Sequence, residues 1–133
     1  MKSETTDRGA KTIEMLSTED LIPYARNART HSDEQVSQIA ASILQFGFNN
    51  PILIDEKGGI VAGHGRVIAA RRIKMAAVPC IRLAHLTEAE KRAYILADNK
   101  IAEASAWDLP MLESELDELN SLDLGLDLES LGL

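Results

Sequence analysis

Aromatic side chains, cysteine and long apolar runs are scarce in this sequence. Aromatic residues make up 4% of the 133 residues, and there is 1 cysteine. No stretch approaches the roughly 18 consecutive apolar residues of a membrane-spanning helix. Residues 1–6 are polar and lack the apolar run of a signal peptide. The sequence therefore predicts a cytoplasmic protein with no membrane partner.

The single cysteine cannot form an internal disulfide bond. Cys80 lies in the apolar run of residues 78–81, which predicts a buried strand position rather than a reactive thiol. With 45% apolar and 26% charged residues, the chain has the composition of an ordinary globular domain, and its length provides for one core.

The charges are distributed unevenly along the chain, whose net charge is −7. Residues 1–82 carry 11 Lys or Arg against 9 Asp or Glu, whereas residues 83–133 carry 3 against 12. Residues 57–87 contain no acid, and their basic residues are Lys57, Arg66, Arg71, Arg72, Lys74 and Arg82. This interval suits an anion, but the overall acidity argues against binding of duplex DNA by electrostatics alone.

Apolar periodicity predicts an α+β domain at residues 14–105. A flexible arm is predicted at residues 1–13, and an acidic helical extension or linker at residues 106–133. Capping residues mark three helix starts. The predicted order is a strand at 14–16, a helix from Ser32 to Gly47, strands at 51–54 and 60–62, a helix at 66–73, a strand at 78–83, a helix from Thr87 through Ala97, and a helix from Asp108.

The passage from strand 60–62 into the next helix carries Gly63, His64, Gly65 and Arg66. Glycine permits positive φ and close approach of a ligand, and the N–H groups at a helix start favour a phosphate. Arg66 adds a planar, permanent cation. On spacing alone, two interpretations stay open: a phosphate site, or a tight turn beside a solvated arginine.

The C-terminal region is rich in leucine and acid. Leu112, Leu116 and Leu119 form an apolar stripe on the last predicted helix, and residues 122–133 alternate leucine with acidic or small residues. A strand edge, a linker to a further domain and a partner-binding tail are the alternatives. Because so many leucines are unusual on the surface of a monomer, a linker or docking segment is the preferred interpretation.

Residues 14–100 resemble the N-terminal domains of ParB proteins. The ordered matches are Ile22-Pro23, Asn27-Ala28-Arg29, residues 47–52, residues 60–70 and Val78-Pro79. Residues 93–103 with Trp107-Asp108 look most like ParB-like domains that precede phage-type and bacterial DNA methyltransferases. The resemblance implies a ParB/sulfiredoxin-like fold, a small mixed sheet flanked by helices, acting in DNA modification or DNA partition.

The resemblance also implies a nucleotide site. In ParB proteins a Gly-Glu-Arg-Arg box holds the phosphates of CTP. Gly63 and Arg66 match its ends, whereas His64 and Gly65 depart from it, so phosphate binding survives the comparison better than CTP hydrolysis. The arginine of an early Pro-Arg motif matches Arg29.

A Glu-Asn pair that ParB proteins associate with Mg²⁺ and phosphates matches Asp98 and Asn99 here. A hard cation beside a polyphosphate needs oxygen ligands of this kind. The resemblance thus implies CTP, ATP or ADP with Mg²⁺, and Asn99 joins the phosphate-binding residues. The alternative is that Asp98 and Asn99 cap a helix end.

Related enzymes leave catalysis open. Sulfiredoxins share the fold but carry a catalytic cysteine where His64 stands, so their chemistry is nearly excluded. ParB-fold free-serine kinases carry similar Gly-His-His-Arg motifs, so His64 and Asp98 are weak catalytic candidates for a phosphohydrolase or phosphotransferase. The spacing of His31, His64 and His85 predicts no zinc site. A nuclease is a further alternative, although no paired carboxylates with histidine stand at a convincing spacing.

The expected partners follow from the same resemblance. Sequence-specific DNA binding in ParB proteins belongs to a domain beyond the matched region, and the acidic residues 103–133 cannot replace it. We expect a nucleotide, DNA contacted indirectly or weakly, and a DNA methyltransferase or other phage or plasmid protein. A homodimer and a non-catalytic docking module for the methyltransferase are the remaining alternatives.

Overall fold

The computed structural model describes residues 12–26, 30–122 and 125–133. Residues 1–11 of the predicted arm lie outside this part of the chain. Two short 3₁₀ helices cover Thr18–Asp20 and Glu129–Leu131. The strands and α-helices are β1 (Ile13–Ser17), α1 (Asp33–Phe46), β2 (Ile52–Ile54), β3 (Ile60–Ala62), α2 (His64–Arg72), β4 (Ala77–Arg82), α3 (Glu88–Glu103) and α4 (Leu109–Ser121).

The strands form one mixed sheet in the order β1-β4-β2-β3. β4 pairs antiparallel with β1 and parallel with β2, and β2 and β3 form the predicted antiparallel hairpin. The predicted α+β class, with a small mixed sheet flanked by helices, is confirmed. No helix in the described ranges is long and apolar enough to cross a membrane.

The core lies between the sheet and α2. Ile52, Ile54, Val78 and Cys80 are 0% exposed, and Val67 of α2 packs in the same cluster. Burial of each large apolar side chain contributes about 1.5–3 kcal/mol, so the strands hold α2 firmly against the sheet. A second cluster joins α1 to α2 through Val36, Ala40 and Ala69.

Side-chain caps begin the helices where the sequence predicted them. The Ser32 hydroxyl accepts a hydrogen bond from the Gln35 N–H at 3.0 Å, and Thr87 and Glu90 form a complete capping box. The predicted end of α3 at Ala97 is wrong, because the helix continues to Glu103. No glycine or proline interrupts residues 98–103, and several of these residues favour a helix.

The acidic C-terminal extension is helical, as predicted. Asp108 caps α4 by accepting a hydrogen bond from the Met111 N–H at 3.2 Å. Residues 125–133 then return to α1, where the Gln45 amide donates to the Asp127 carbonyl and accepts from the Asp127 N–H, both at 3.0 Å. These residues contain a 3₁₀ turn, so the strand-edge alternative is wrong for them. Asp123 and Leu124 lie outside the described residues.

Cys80 occupies the buried strand position that the sequence predicted, and burial raises the pKa of its thiol. Cys80→Ser should lower the free energy of unfolding by about 1–3 kcal/mol, because it places a hydroxyl in an apolar site. Urea denaturation of the two proteins would measure this loss. Cys80→Ala is the control for lost volume, and a serine variant as stable as the alanine variant would contradict the prediction.

Candidate functional site

A left-handed turn at Gly63 joins β3 to α2. Gly63 has φ +103°, and a Cβ atom there would lie 2.7 Å from Cδ1 of Ile52. Because one residue completes the turn, α2 begins at His64. The predicted helix start at Arg66 is therefore wrong by two residues, and His64 and Gly65 belong to the first helical turn.

The first turn of α2 presents backbone donors that the helix itself does not use. Gly63 provides no side-chain cap, and the first helical hydrogen bond runs from the Val67 N–H to the Gly63 carbonyl at 3.0 Å. The N–H groups of His64, Gly65 and Arg66 precede it and have no acceptor within the helix. The positive end of the helix dipole lies at the same place.

A cavity of about 200 Å³ opens beside this turn. The sequence predicted six of the residues around it, and the structure brings them together from two helices and a loop. They are Gly63, His64, Gly65, Arg66, Asp98 and Asn99. Their roles in binding stay predictions. Arg29, the remaining predicted phosphate ligand, lies outside the described residues.

Arg66 lines this cavity and has one unsatisfied donor. Its Nε is buried and has no hydrogen-bond partner among the residues that the structure describes, and its Nη2 donates a long hydrogen bond of 3.4 Å to the Pro51 carbonyl. Burial lowers the pKa of the Arg66 guanidinium, and the negative charge of Asp98 acts in the opposite direction. An arginine stays protonated at neutral pH despite such effects, so the cavity holds a positive charge.

His64 is a neutral hydrogen-bond acceptor. The Tyr24 N–H donates to its Nε2 at 3.2 Å, so in the neutral ring the proton resides on Nδ1. Burial lowers the pKa of His64, and the neighbouring His31 lowers it further. His31 in turn donates from Nδ1 to Oε1 of Gln35 at 3.0 Å. Two histidines of the chain therefore meet at one site.

Sequence reasoning missed the contribution of α1 and of the loop that precedes it to this cavity. His31, Gln35 and Ile39 line it, together with Val61 and Ala62 of β3. The signal was present at Gly65, where a Cβ atom would lie 3.0 Å from both His31 and Ile39. A glycine inside a helix indicates close approach of another element, but the sequence does not say which one.

Charged and polar side chains give the cavity a defined chemistry. Its interior combines an arginine and backbone donors, which suit an anion, with the Asp98 carboxylate and the Asn99 side chain. Asp98 is exposed and Asn99 is half-buried. Over the described ranges, no three His, Cys, Asp or Glu side chains are arranged to hold a metal ion by themselves.

Solved structures share this fold. The chromosome-partitioning protein ParB from Caulobacter crescentus, C-terminally truncated and complexed with CTP-gamma-S, has a TM-score of 0.63 at 26% identity, over 80% of this chain and 60% of that chain. Sulfiredoxin from Arabidopsis thaliana has a TM-score of 0.54 at 21% identity, over 63% of this chain and 97% of that chain. The fold is that of the ParB/sulfiredoxin class.

The family is narrower than that class. The model of the ParB N-terminal domain matches residues 2–100, so the chain belongs to this family, as the resemblance implied. The ParB-like nuclease domain-containing protein YnaK of Escherichia coli (strain K12) is 61% identical over 74 residues, which are 56% of this chain and 85% of YnaK. The chain spans 60% of the Caulobacter ParB structure.

Acidification should destabilise the protein through His64. Because burial holds the pKa of folded His64 below its ordinary value of 6.5, the unfolded chain takes up the proton more readily. The stability contributed by neutral His64 is therefore present above that value and is lost as the pH falls toward the pKa of the folded state.

Urea denaturation should show a falling free energy of unfolding from about pH 7.5 to about pH 5.5. The fall should be smaller in His64→Gln, whose neutral side chain keeps an acceptor for the Tyr24 N–H. The same pH dependence in both proteins would rule out His64 as its source.

Proposed function

We propose that this chain is a nucleotide-binding domain of the ParB type that holds the phosphates of a nucleotide at the first turn of α2 and acts in DNA modification or DNA partition. The guanidinium of Arg66 and the open N–H groups at the start of α2 line the same cavity, and this arrangement carries the proposal. A charge-assisted hydrogen bond from this guanidinium to a phosphate oxygen contributes about 1.5–3 kcal/mol.

The backbone supports the same ligand. The N–H groups of residues 64–66 converge with the helix dipole on one side of the cavity, and this is the usual arrangement of a phosphate site. Substrates that carry several phosphates fit better than a single small anion, because Arg66 and the helix start can each hold a separate oxygen. The likeness to a ParB structure that contains CTP-gamma-S favours a nucleoside triphosphate.

A second cavity provides room for the nucleoside. It measures about 360 Å³ and shares Arg66 and Ile39 with the first. Phe48 offers an apolar face, and Asn50 offers amide groups for a base edge. We place the phosphates in the first cavity and the nucleoside in the second, with Arg66 between them. Amides can serve donors or acceptors, so the base preference is decided by measurement.

Asp98 and Asn99 fit a magnesium ion that is bound together with the phosphates. Mg²⁺ keeps several waters and is held by one or two protein oxygens plus substrate phosphates, so two adjacent residues of α3 suffice. The ion would supply neutralising charge to the phosphates. Asp98 also faces the charge of Arg66, and this balances the cavity when a polyanion is absent.

Binding is better supported than phosphate hydrolysis or transfer. Nε2 of His64 already accepts a hydrogen bond from the Tyr24 N–H. The same nitrogen cannot also accept a proton from an attacking water or hydroxyl while that bond is in place. We therefore assign His64 to shaping the site. Nucleotide hydrolysis, and DNA cleavage of the kind named for the YnaK domain, are the activities to assay beside binding.

Removing the side chain of Arg66 should weaken nucleotide binding by about ten- to a hundredfold, the effect of losing a charge-assisted hydrogen bond. Isothermal titration calorimetry with CTP, ATP, ADP and GTP would compare wild type with Arg66→Ala. Arg72→Ala is the matched control, because Arg72 lies on the same helix but pairs with Asp33 at 2.7 Å outside the cavity. Equal affinity in wild type and Arg66→Ala, with both folded, would refute the phosphate site.

The effect of Mg²⁺ on nucleotide affinity should depend on Asp98. In Mg²⁺, Asp98→Asn should bind about tenfold more weakly than wild type, because a carboxylate ligand is lost. In excess EDTA the variant should bind as well as wild type or better, because a charge that repels phosphate is gone. Glu103→Gln, on the exposed surface of the same helix, is the control. An equal loss with and without Mg²⁺ would contradict the metal assignment.

A further inference from the structure

A shallow apolar groove lies between α4 and the C-terminal segment, residues 125–133. It measures about 460 Å³. α4 contributes Leu109, Leu112 and Leu116, and the C-terminal segment contributes Leu128 and Leu133. Leu109 is 68% exposed and Leu133 is 51% exposed, and α4 has no buried residue. The folded domain therefore leaves this leucine surface in contact with water, which is unfavourable without a partner.

The wall formed by the C-terminal segment is anchored to the domain. Gln45 of α1 forms paired hydrogen bonds with the backbone of Asp127 and donates to the Ser130 hydroxyl at 3.1 Å. The backbone at Gly132 comes so close to α1 that a Cβ atom would lie 2.7 Å from Nε2 of Gln38. The C-terminal segment is therefore fixed to α1 and forms an ordered side of the groove.

The negative charge around the groove favours a positively charged partner. Glu113 and Asp117 lie along its edge, and every charged residue from 101 to 133 is acidic. A partner that covers the leucines must therefore bring positive charge to the rim, because like charges placed opposite each other oppose binding. An apolar face with lysine or arginine on both sides meets this requirement.

A second copy of the chain fits this requirement poorly. Its acid-free interval, residues 57–87, uses much of its positive charge within its own domain. Arg72 pairs with Asp33, and Arg82 pairs with Glu14 at 3.1 Å. Arg71 donates to two backbone carbonyls, at 3.0 and 2.9 Å. A partner whose lysine or arginine side chains are not already paired within its own fold would match the acidic edge of the groove better.

We infer that this groove docks a basic amphipathic helix of another protein. Apolar side chains at positions i, i+3, i+4 and i+7 of that helix fill the space between Leu112, Leu116 and Leu128, and lysine or arginine beside them meets Glu113 and Asp117. The docking surface lies on α4 and the C-terminal segment, apart from the nucleotide cavity. It stands or fails independently of the proposed nucleotide binding.

The test uses the full chain and a synthetic helical peptide of about 18 residues, which is long enough to lie along α4. Leucine occupies one face of the peptide and lysine the other. Control peptides carry the same composition in scrambled order, or glutamate in place of lysine. Fluorescence anisotropy measures affinity for wild type and three variants: Leu112→Gln/Leu116→Gln, Glu113→Lys/Asp117→Lys, and Glu115→Lys/Glu118→Lys as the charge-matched control.

We expect wild type to bind the amphipathic lysine peptide and neither control peptide. The affinity for that peptide should fall about tenfold or more in the leucine variant and in the Glu113/Asp117 variant, and change less than about threefold in the Glu115/Glu118 variant. No binding, equal binding of the scrambled peptide, or equal loss in both charge-reversed variants would overturn the inference. Sedimentation equilibrium tests whether a second copy of the chain occupies the groove instead. If the wild type is a dimer that dissociates in Leu112→Gln/Leu116→Gln, the groove is a dimer interface and the inference of a partner helix is overturned.

Discussion

The turn at Gly63 is the constraint on which the candidate site depends. The Ile52 side chain leaves no room for a Cβ atom, and the left-handed backbone lets β3 end and α2 begin within one residue. A longer or capped turn would cover the first N–H groups of α2 with protein atoms. The packing of the hairpin against α2 therefore both stabilises the core and leaves a helix start open to a ligand.

α1 connects the two surfaces that we assign to ligands. Near its first turn, Gln35 and Ile39 line the nucleotide cavity, and near its last turn Gln45 holds the C-terminal segment. Gly65 allows α1 to approach α2 closely, because a Cβ atom there would lie 3.0 Å from His31 and Ile39 and those side chains would have to shift. A helix that is packed along its length keeps both ends in register with the sheet.

The basic and acidic side chains lie in different environments in the folded chain. Basic residues of the domain hold carbonyls and carboxylates of the fold, as Arg71 and Arg82 do, whereas Arg66 faces the cavity. The acids of α4 face solvent. Much of the positive charge that residues 57–87 display in the sequence is therefore paired within the domain and is not available to a ligand.

Local patterns determined the strands, the caps and the Gly63 turn, whereas Asp98 and Asn99 were identified as site residues through the family resemblance. The local features depend on neighbours in the chain, whose spacing the sequence displays. The return of residues 125–133 to α1 was decided by tertiary structure. So was the meeting of His64 with Tyr24, 40 residues away, and of Gln45 with Asp127, 82 residues away. Such contacts depend on which faces pack together in three dimensions, and a linear pattern of residue types does not specify that pairing.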